Sequence, residues 1–213
     1  SVVMAAITGA ATASMIIMAA SAKFRRATTL LVFGVMLSFI VNALVTVLQS
    51  GSDAESLKIF HSWAAGSFST TSGKEVMIMS AALALGSALA MYNSRGLDII
   101  LFGDEFAVLS GARPQRIRTN ALMSCCIITG TVTAFCGPIG FVGIVAPHIA
   151  RTLWKTSAHK STILGSFLCG STIGIAADLF SQITSTPIPI SSTMARAGIP
   201  IILYIMIKGP EYR

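Results

Sequence analysis

Gly137-Pro138-Ile139-Gly140-Phe141-Val142-Gly143-Ile144-Val145-Ala146-Pro147-His148-Ile149-Ala150-Arg151 closes a run of 32 residues, 119–150, that contains no Asp, Glu, Lys or Arg. As one straight helix the run would extend about 48 Å at 1.5 Å per residue. The hydrocarbon core of a bilayer is roughly 30 Å thick. The run is therefore a steeply tilted helix or two apolar segments with a break between them. Gly137-Pro138-Ile139-Gly140 supplies the break, because proline removes a backbone donor and glycine loosens the chain. This reading puts the chain in lipid, with a change of direction there.

Composition agrees. Hydrophobic residues make up 54% of the 213 and charged residues 11%, with a mean hydropathy of +0.77. A soluble domain carries about 25% charged residues, and too few polar side chains remain here to coat a water-facing surface. The deficit is concentrated in uncharged runs at 1–22, 27–52, 76–94, 119–150, 161–177 and 179–195, with an apolar stretch at 197–207 after Arg196. Several of these approach the ~20 residues that cross a bilayer. The pattern predicts an all-α, polytopic transmembrane protein with seven spans, at 1–20, 28–49, 75–92, 119–136, 139–153, 161–182 and 190–207. Residues 54–65 form a helix too short to cross, with Ser52 placed to cap it and acidic residues in its first turn. Pro187 and Pro189 set the turn before the last span.

The net charge of +7 invites a nucleic-acid reading, but its placement excludes one. Twelve of the fifteen Lys and Arg fall in links that alternating spans put on one side. Lys58 and Lys74 fall on the other side, and Arg196 lies within a span. That asymmetry is the positive-inside rule, so the charge records topology and not a polyanionic partner. Seven spans that begin inward also end inward, in agreement with the charge count. Cys125, Cys126, Cys136 and Cys169 lie in apolar runs without metal-ligand spacing to a histidine and read as small buried hydrophobes. No metal and no cofactor is expected.

The longest polar link, 93–118, holds Asp98, Asp104, Glu105 and four Arg. Ile99, Ile100, Leu101, Phe102, Phe106, Val108 and Leu109 give its short helices an apolar side that a solvated loop would not need. The link is therefore expected to dock on something.

Three stretches together resemble the permease subunit of type II ABC importers, the family that takes up iron–siderophore complexes, haem and cobalamin. They are 137–151, quoted above; Leu101-Phe102-Gly103-Asp104-Glu105-Phe106-Ala107 with Leu109-Ser110-Gly111; and Pro189-Ile190 with Gly198-Ile199-Pro200. The resemblance covers essentially the whole chain. It implies one transmembrane permease domain over 1–213. The family's ten spans would leave this chain as the last seven, either a fragment or a compact variant. It implies cytoplasmic coupling helices within 95–113, two short helices joined at Gly103 and Gly111. There Gly103, Asp104, Glu105, Phe106, Ala107, Leu109 and Gly111 would meet the ATPase. It also implies a location in the prokaryotic cell membrane (the inner membrane where there are two). The implied partners are a second permease copy, two ATP-binding subunits, an extracytoplasmic substrate-binding protein and the lipid bilayer.

Further expectations attach to single residues. Ser52, Glu55, Phe60, Trp63 and Arg196 are candidates for the translocation path or gate, with Trp63 alternatively an interfacial anchor. Gly137, Pro138, Gly140, Gly143, Pro147, His148, Arg151 and Asp178 belong to the structural motifs. His148 is expected to pack between helices near the inner face, with Arg151 snorkelling to the headgroups. Asp178 is a carboxylate in an otherwise uncharged stretch, which is costly in lipid. Arg196 either pairs with Asp178 or faces the central path and meets an anionic ligand. Two positions depart from the family: Val108 and Gln182 stand where many relatives carry Arg, and since the Arg at the second position pairs with the binding protein in relatives, that docking salt bridge is missing here or supplied by another residue.

The chain contains no Gly-x-x-x-x-Gly-Lys-Ser/Thr loop, so it is not expected to bind or cleave ATP itself. An ion- or proton-coupled secondary carrier is the alternative reading, since such carriers place ionisable residues at broken helices near the midplane. An intramembrane enzyme would need a catalytic pair, and Ser191, Ser192 and His148 form no motif.

Overall fold

The structure is a computed structural model; it describes residues 2–24, 27–68, 71–183, 190–194, 196, 198 and 200. Eight helices follow in order: α1 (Val2–Lys23), α2 (Ala27–Ser50), α3 (Ala54–Ala65), α4 (Gly73–Ile100), α5 (Asp104–Leu109), α6 (Pro114–Cys136), α7 (Val142–Trp154) and α8 (His159–Ile183). The residues described between 190 and 200 are helical as well. No strand occurs among the described residues. An all-helical chain satisfies its backbone groups within each segment, as a lipid solvent demands.

Five helices are long and apolar enough to cross a membrane: Val3–Lys23, Thr28–Ser50, Gly73–Ile100, Pro114–Cys136 and His159–Ser181. The span expected at 139–153 is different. α7 has 13 residues, about 20 Å of helix, which is too short to cross alone. The break consumes the rest. Gly137 takes φ 78° and closes α6, and Phe141 takes φ 68° before α7 starts. Glycine adopts that backbone freely, whereas a phenylalanine held there is strained. The last expected span lies largely outside the described residues, as does the turn at Pro187 and Pro189.

Small residues let the helices approach closely. Gly86 and Gly96 of α4 lie against Ile128 and Ile117 of α6, and a Cβ on Gly96 would come within 2.9 Å of Ile117. Two buried hydrogen bonds lock the same pair: Asn93 Nδ2 donates to the Ile117 carbonyl and Ser124 Oγ to the Gly86 carbonyl, both at 2.7 Å. α1 rests on α6 through Ala10 and Gly130, and Gln115 Nε2 donates to the Ser21 carbonyl at 2.9 Å. α7 buries Val145, Ala146 and Ala150 and stacks Trp154 over Gly165 of α8. The mode is that of membrane bundles, where small residues and interhelical hydrogen bonds stand in for the hydrophobic drive. Ala177, Ile190 and Met194 form a buried cluster that joins α8 to the helix beyond it. α2 leaves Phe39, Leu44 and Leu48 exposed, as a surface meant for lipid or another helix can.

Candidate coupling element and outer gate

α4 sets the geometry. Its 28 residues extend about 42 Å, so α3 and α5 stand at its opposite ends. The helix does not stop at the predicted 92. It continues to Ile100, and between it and α6 there is one short helix, α5, where two are expected. The reason is partly a distant contact. Residues 95–100 contain no proline to interrupt the hydrogen-bond ladder, and the weak helix former Gly96 is held by its close packing on Ile117.

α5 is defined by its two glycines. Gly103, at φ 103°, occupies its N-cap, and Asp104 and Glu105 follow in the first turn, where the helix dipole favours them. At the other end Gly111, at φ 80°, closes a Schellman motif. The Gly111 N–H donates to the Val108 carbonyl and the Ala112 N–H to the Ala107 carbonyl, each at 2.9 Å. Asp104 accepts from Arg118 Nη2 at 2.7 Å, tying α5 to α6. Ala107 is fully buried, and it is the side chain that seats the helix. Phe106 and Leu109 point outward instead, Leu109 with 87% of its surface exposed. Leu101, Phe102 and Val108 are exposed beside them, and the Phe102 and Phe106 rings stack at 5.5 Å. Glu105 is exposed on the same element. The arrangement is a protrusion with fixed ends and an uncovered apolar face.

At the other end α3 is capped by Asp53, not Ser52. Asp53 accepts from the Ser56 N–H at 3.0 Å and from Ser56 Oγ at 2.8 Å, whereas Ser52 Oγ donates backward to the Leu48 carbonyl. Asp wins because its carboxylate takes both bonds at once and favours the helix dipole. The backbone N–H of Ser56, then its hydroxyl, holds the Asp53 carboxyl below the ordinary range. Glu55 is exposed, Phe60 and Trp63 are half-buried, and Phe60 stacks beside both His61 and Trp63. The C-terminus of α3 is clamped. Trp63 Nε1 donates to the Ala134 carbonyl at 3.4 Å, the Ser67 N–H to the Cys136 carbonyl at 3.0 Å, and Ser191 Oγ to the Ala65 carbonyl at 2.7 Å. Gly66 and Gly137 meet backbone to backbone, and a Cβ on Gly137 would strike the Trp63 carbonyl.

The remaining expected residues distribute as follows. Pro138 and Gly140 are exposed in the break, and Gly143 and Pro147 lie within α7. Proline at 147 cannot donate to the Gly143 carbonyl one turn earlier. His148 and Arg151 are exposed, and the packing expected of His148 falls to Val145, Ala146 and Ala150. Asp178 is half-buried on α8. Arg196 is exposed. It points away from the face that buries Ile190, Met194 and Gly198, because those lie at spacings of four while Arg196 sits between them. The side chain of Gln182 lies outside the described residues. Among the described residues no group of three or more His, Cys, Asp or Glu is placed to hold a metal ion.

Sequence reasoning missed the contact between Asp98 and His159. Asp98 Oδ1, near the end of α4, accepts from the His159 N–H at 2.9 Å and lies 2.6 Å from His159 Nδ1. The partners are 61 residues apart, and no local pattern joins them. Asn93 was findable as an amide in an otherwise uncharged run.

These features define a class: a multi-pass helical membrane protein with a half-length helix packed against a long span and a short apolar-faced helix between two long spans. The chain belongs to the FecCD transport family, whose model matches residues 1–208. It is 32% identical over 182 residues to the ABC transporter permease protein YvrB of Bacillus subtilis, covering 84% of this chain and 51% of that protein. It is 26% identical over 186 residues to the hemin transport system permease HmuU of Yersinia pestis, covering 86% and 55%. Over 178 residues it is 28% identical to the cobalamin import permease BtuC of Halobacterium salinarum, covering 84% and 48%. The fold matches a solved inward-facing structure described as of metal-chelate ABC transporter type, with a TM-score of 0.84 and 26% identity over 90% of this chain and 63% of that one. The chain spans about half the length of the curated relatives it matches.

Proposed function

We propose that this chain is the greater part of a permease subunit in an ATP-driven importer for metal chelates, haem or cobalamin-type cargo in a prokaryotic cell membrane. It works with a second copy, two ATP-binding subunits and an extracytoplasmic binding protein. The translocation path runs between the two copies and opens to one side at a time. ATP is hydrolysed by the partner subunits. The single observation that carries this reading is α5. An exposed apolar face on a helix with both ends fixed is a docking feature, and it projects from the side that carries most of the positive charge. Gly103, Asp104, Glu105, Phe106, Ala107, Leu109 and Gly111 build that element, which takes up the closure of the motor subunits. Ser52, Glu55, Phe60 and Trp63 belong to the outer gate. Arg196, directed away from its own packing face, belongs to the passage, since an arginine turned to lipid at mid-helix is costly.

The test is reconstitution of the full-length permease in vesicles with and without its ATPase subunits. Uptake of ferric citrate, haemin or cobalamin that requires ATP and the ATPase supports the reading. Uptake driven by an ion gradient alone would favour a secondary carrier and overturn it. Replacing Glu105 or Gly111 is expected to separate ATP hydrolysis from uptake while membrane insertion is retained. Normal uptake by both variants counts against α5 as the coupling element.

A further inference from the structure

Helix α8 begins without a cap of its own. Ala158 holds the N-cap position, with its carbonyl accepting from the Thr162 N–H at 3.0 Å. A methyl side chain cannot satisfy the free N–H groups of a first turn. The acceptor comes from another helix. Asp98 of α4 takes the His159 N–H at 2.9 Å and approaches the His159 ring at 2.6 Å, setting a carboxylate on the positive end of the α8 dipole. Asp98 stands two residues before α4 ends and five before Gly103, where α5 starts.

The rest of the packing gives that contact its meaning. α4 and α6 are locked by Asn93, Ser124 and the close approach at Gly96, and α5 is fastened to α6 by Asp104 and Arg118. α7 and α8 form a second tight pair through Trp154, Ala150 and Gly165. Along the chain the two bodies are joined by 137–141, which is non-helical and carries positive φ at both Gly137 and Phe141. A hydrogen-bonded helix carries a push along its axis, whereas an irregular segment bends first. α4 and α8 also touch directly, and Asp98–His159 is a polar contact between them at the end nearest α5.

We infer that the Asp98–His159 contact is the tie through which a displacement of α5 reaches the α7–α8 pair, with Asp98 a positioning residue for coupling. The inference rests on α5 being the site where the ATPase acts. A merely structural role for Asp98 would lower only the amount or the thermal stability of the permease. A tie also alters how much cargo moves per ATP.

The experiment reconstitutes the full-length permease with its ATPase subunits and binding protein and measures phosphate release together with uptake of ferric citrate, haemin and cobalamin. In Asp98→Ala the ratio of uptake to ATP hydrolysed, compared at equal amounts of folded complex, is expected to fall by between about twofold and thirtyfold, the span of single-residue effects on coupling, beside the modest drop in melting temperature that the loss of a helix cap brings. Asp98→Asn keeps an acceptor for the His159 N–H and is expected to fall less. A short bis-methanethiosulfonate cross-link between Asp98→Cys and His159→Cys, in a background free of other cysteines, each thiolate displacing one methanesulfinate to form a disulfide, is expected to restore the ratio. An unchanged ratio in Asp98→Ala overturns the inference, and so does a lowered ratio that the bridge leaves lowered. A wild-type complex with no ATP-driven uptake of any of the three overturns the proposed function and this inference with it. Wild-type uptake with unaffected variants overturns this inference alone.

Discussion

α3 and α5 are both too short to cross a membrane, with 12 and 6 residues, and they sit at opposite ends of α4. They are held in opposite ways. The far end of α3 is clamped through its backbone: Gly66 against Gly137, the Ala65 carbonyl bonded by Ser191, and Trp63 reaching the Ala134 carbonyl. α5 is seated by one buried methyl, Ala107, and by its two ends, and its large side chains are left uncovered. The difference separates two tasks. A corner made of backbone contacts cannot shift without breaking them, so α3 holds position. A helix with fixed ends and a free apolar face offers a docking surface, and under the proposed function it is α5 that would receive a partner.

The sharpest way to break this contrast is at the clamp. Gly137→Ala is expected to destabilise the permease by about 3 kcal/mol or more, combining overpacking against the Trp63 carbonyl with a non-glycine residue at positive φ. Thermal unfolding in detergent checks it, and an unchanged midpoint would mean the corner yields easily. At α5 the expected effect is on association. Leu109→Asp should leave the unfolding midpoint within the scatter of surface changes but weaken capture of the ATPase subunits by about tenfold or more, the equivalent of roughly 1.4 kcal/mol. Co-purification at graded subunit concentration measures that loss, and undiminished capture would show that the apolar face is not the docking surface. Arg118→Ala, which releases Asp104, should cost no more than about 1 kcal/mol, because the pair is partly exposed. A larger drop in melting temperature would place more of α5's stability in that pair than in Ala107.

The smallest expected effect concerns pH at α3. The folded-state value of Asp53 is depressed, so its cap is in place above the ordinary carboxylate pKa and is lost as pH falls through the lower folded value. Hydrogen exchange at the Ser56 amide should therefore be protected at neutral pH and lose protection only in strong acid. Asp53→Ala should abolish the protection at every pH.

The helical, membrane-embedded class was legible because its signal is compositional and repeated. Uncharged runs and one-sided cations survive any error in a single boundary. The break at Gly137–Gly140 was legible because proline and glycine act locally. What stayed hidden depends on contacts between distant residues. The continuation of α4 past 92 needs Gly96 packed on Ile117, 21 positions away, and the Asp53 cap wins only by a comparison of two neighbouring acceptors. α7 was misjudged in length because apolar character says where a segment resides and not whether it is helical throughout. At α5 the apolar side expected from Phe106 and Leu109 is present and uncovered, whereas the seating role of Ala107, a small residue like many others in the chain, carried no mark. Asp98 and His159 carried no local mark at all.

α4 is about 42 Å long and a hydrocarbon slab roughly 30 Å thick. About a quarter of the rod therefore overhangs the oil. If α5 receives the motor subunits as proposed, the bilayer surface would be the fulcrum of a lever, and its height along α4 would set the length of the arm on which α5 moves. Lipids with longer or shorter acyl chains would then change that leverage without altering a single residue.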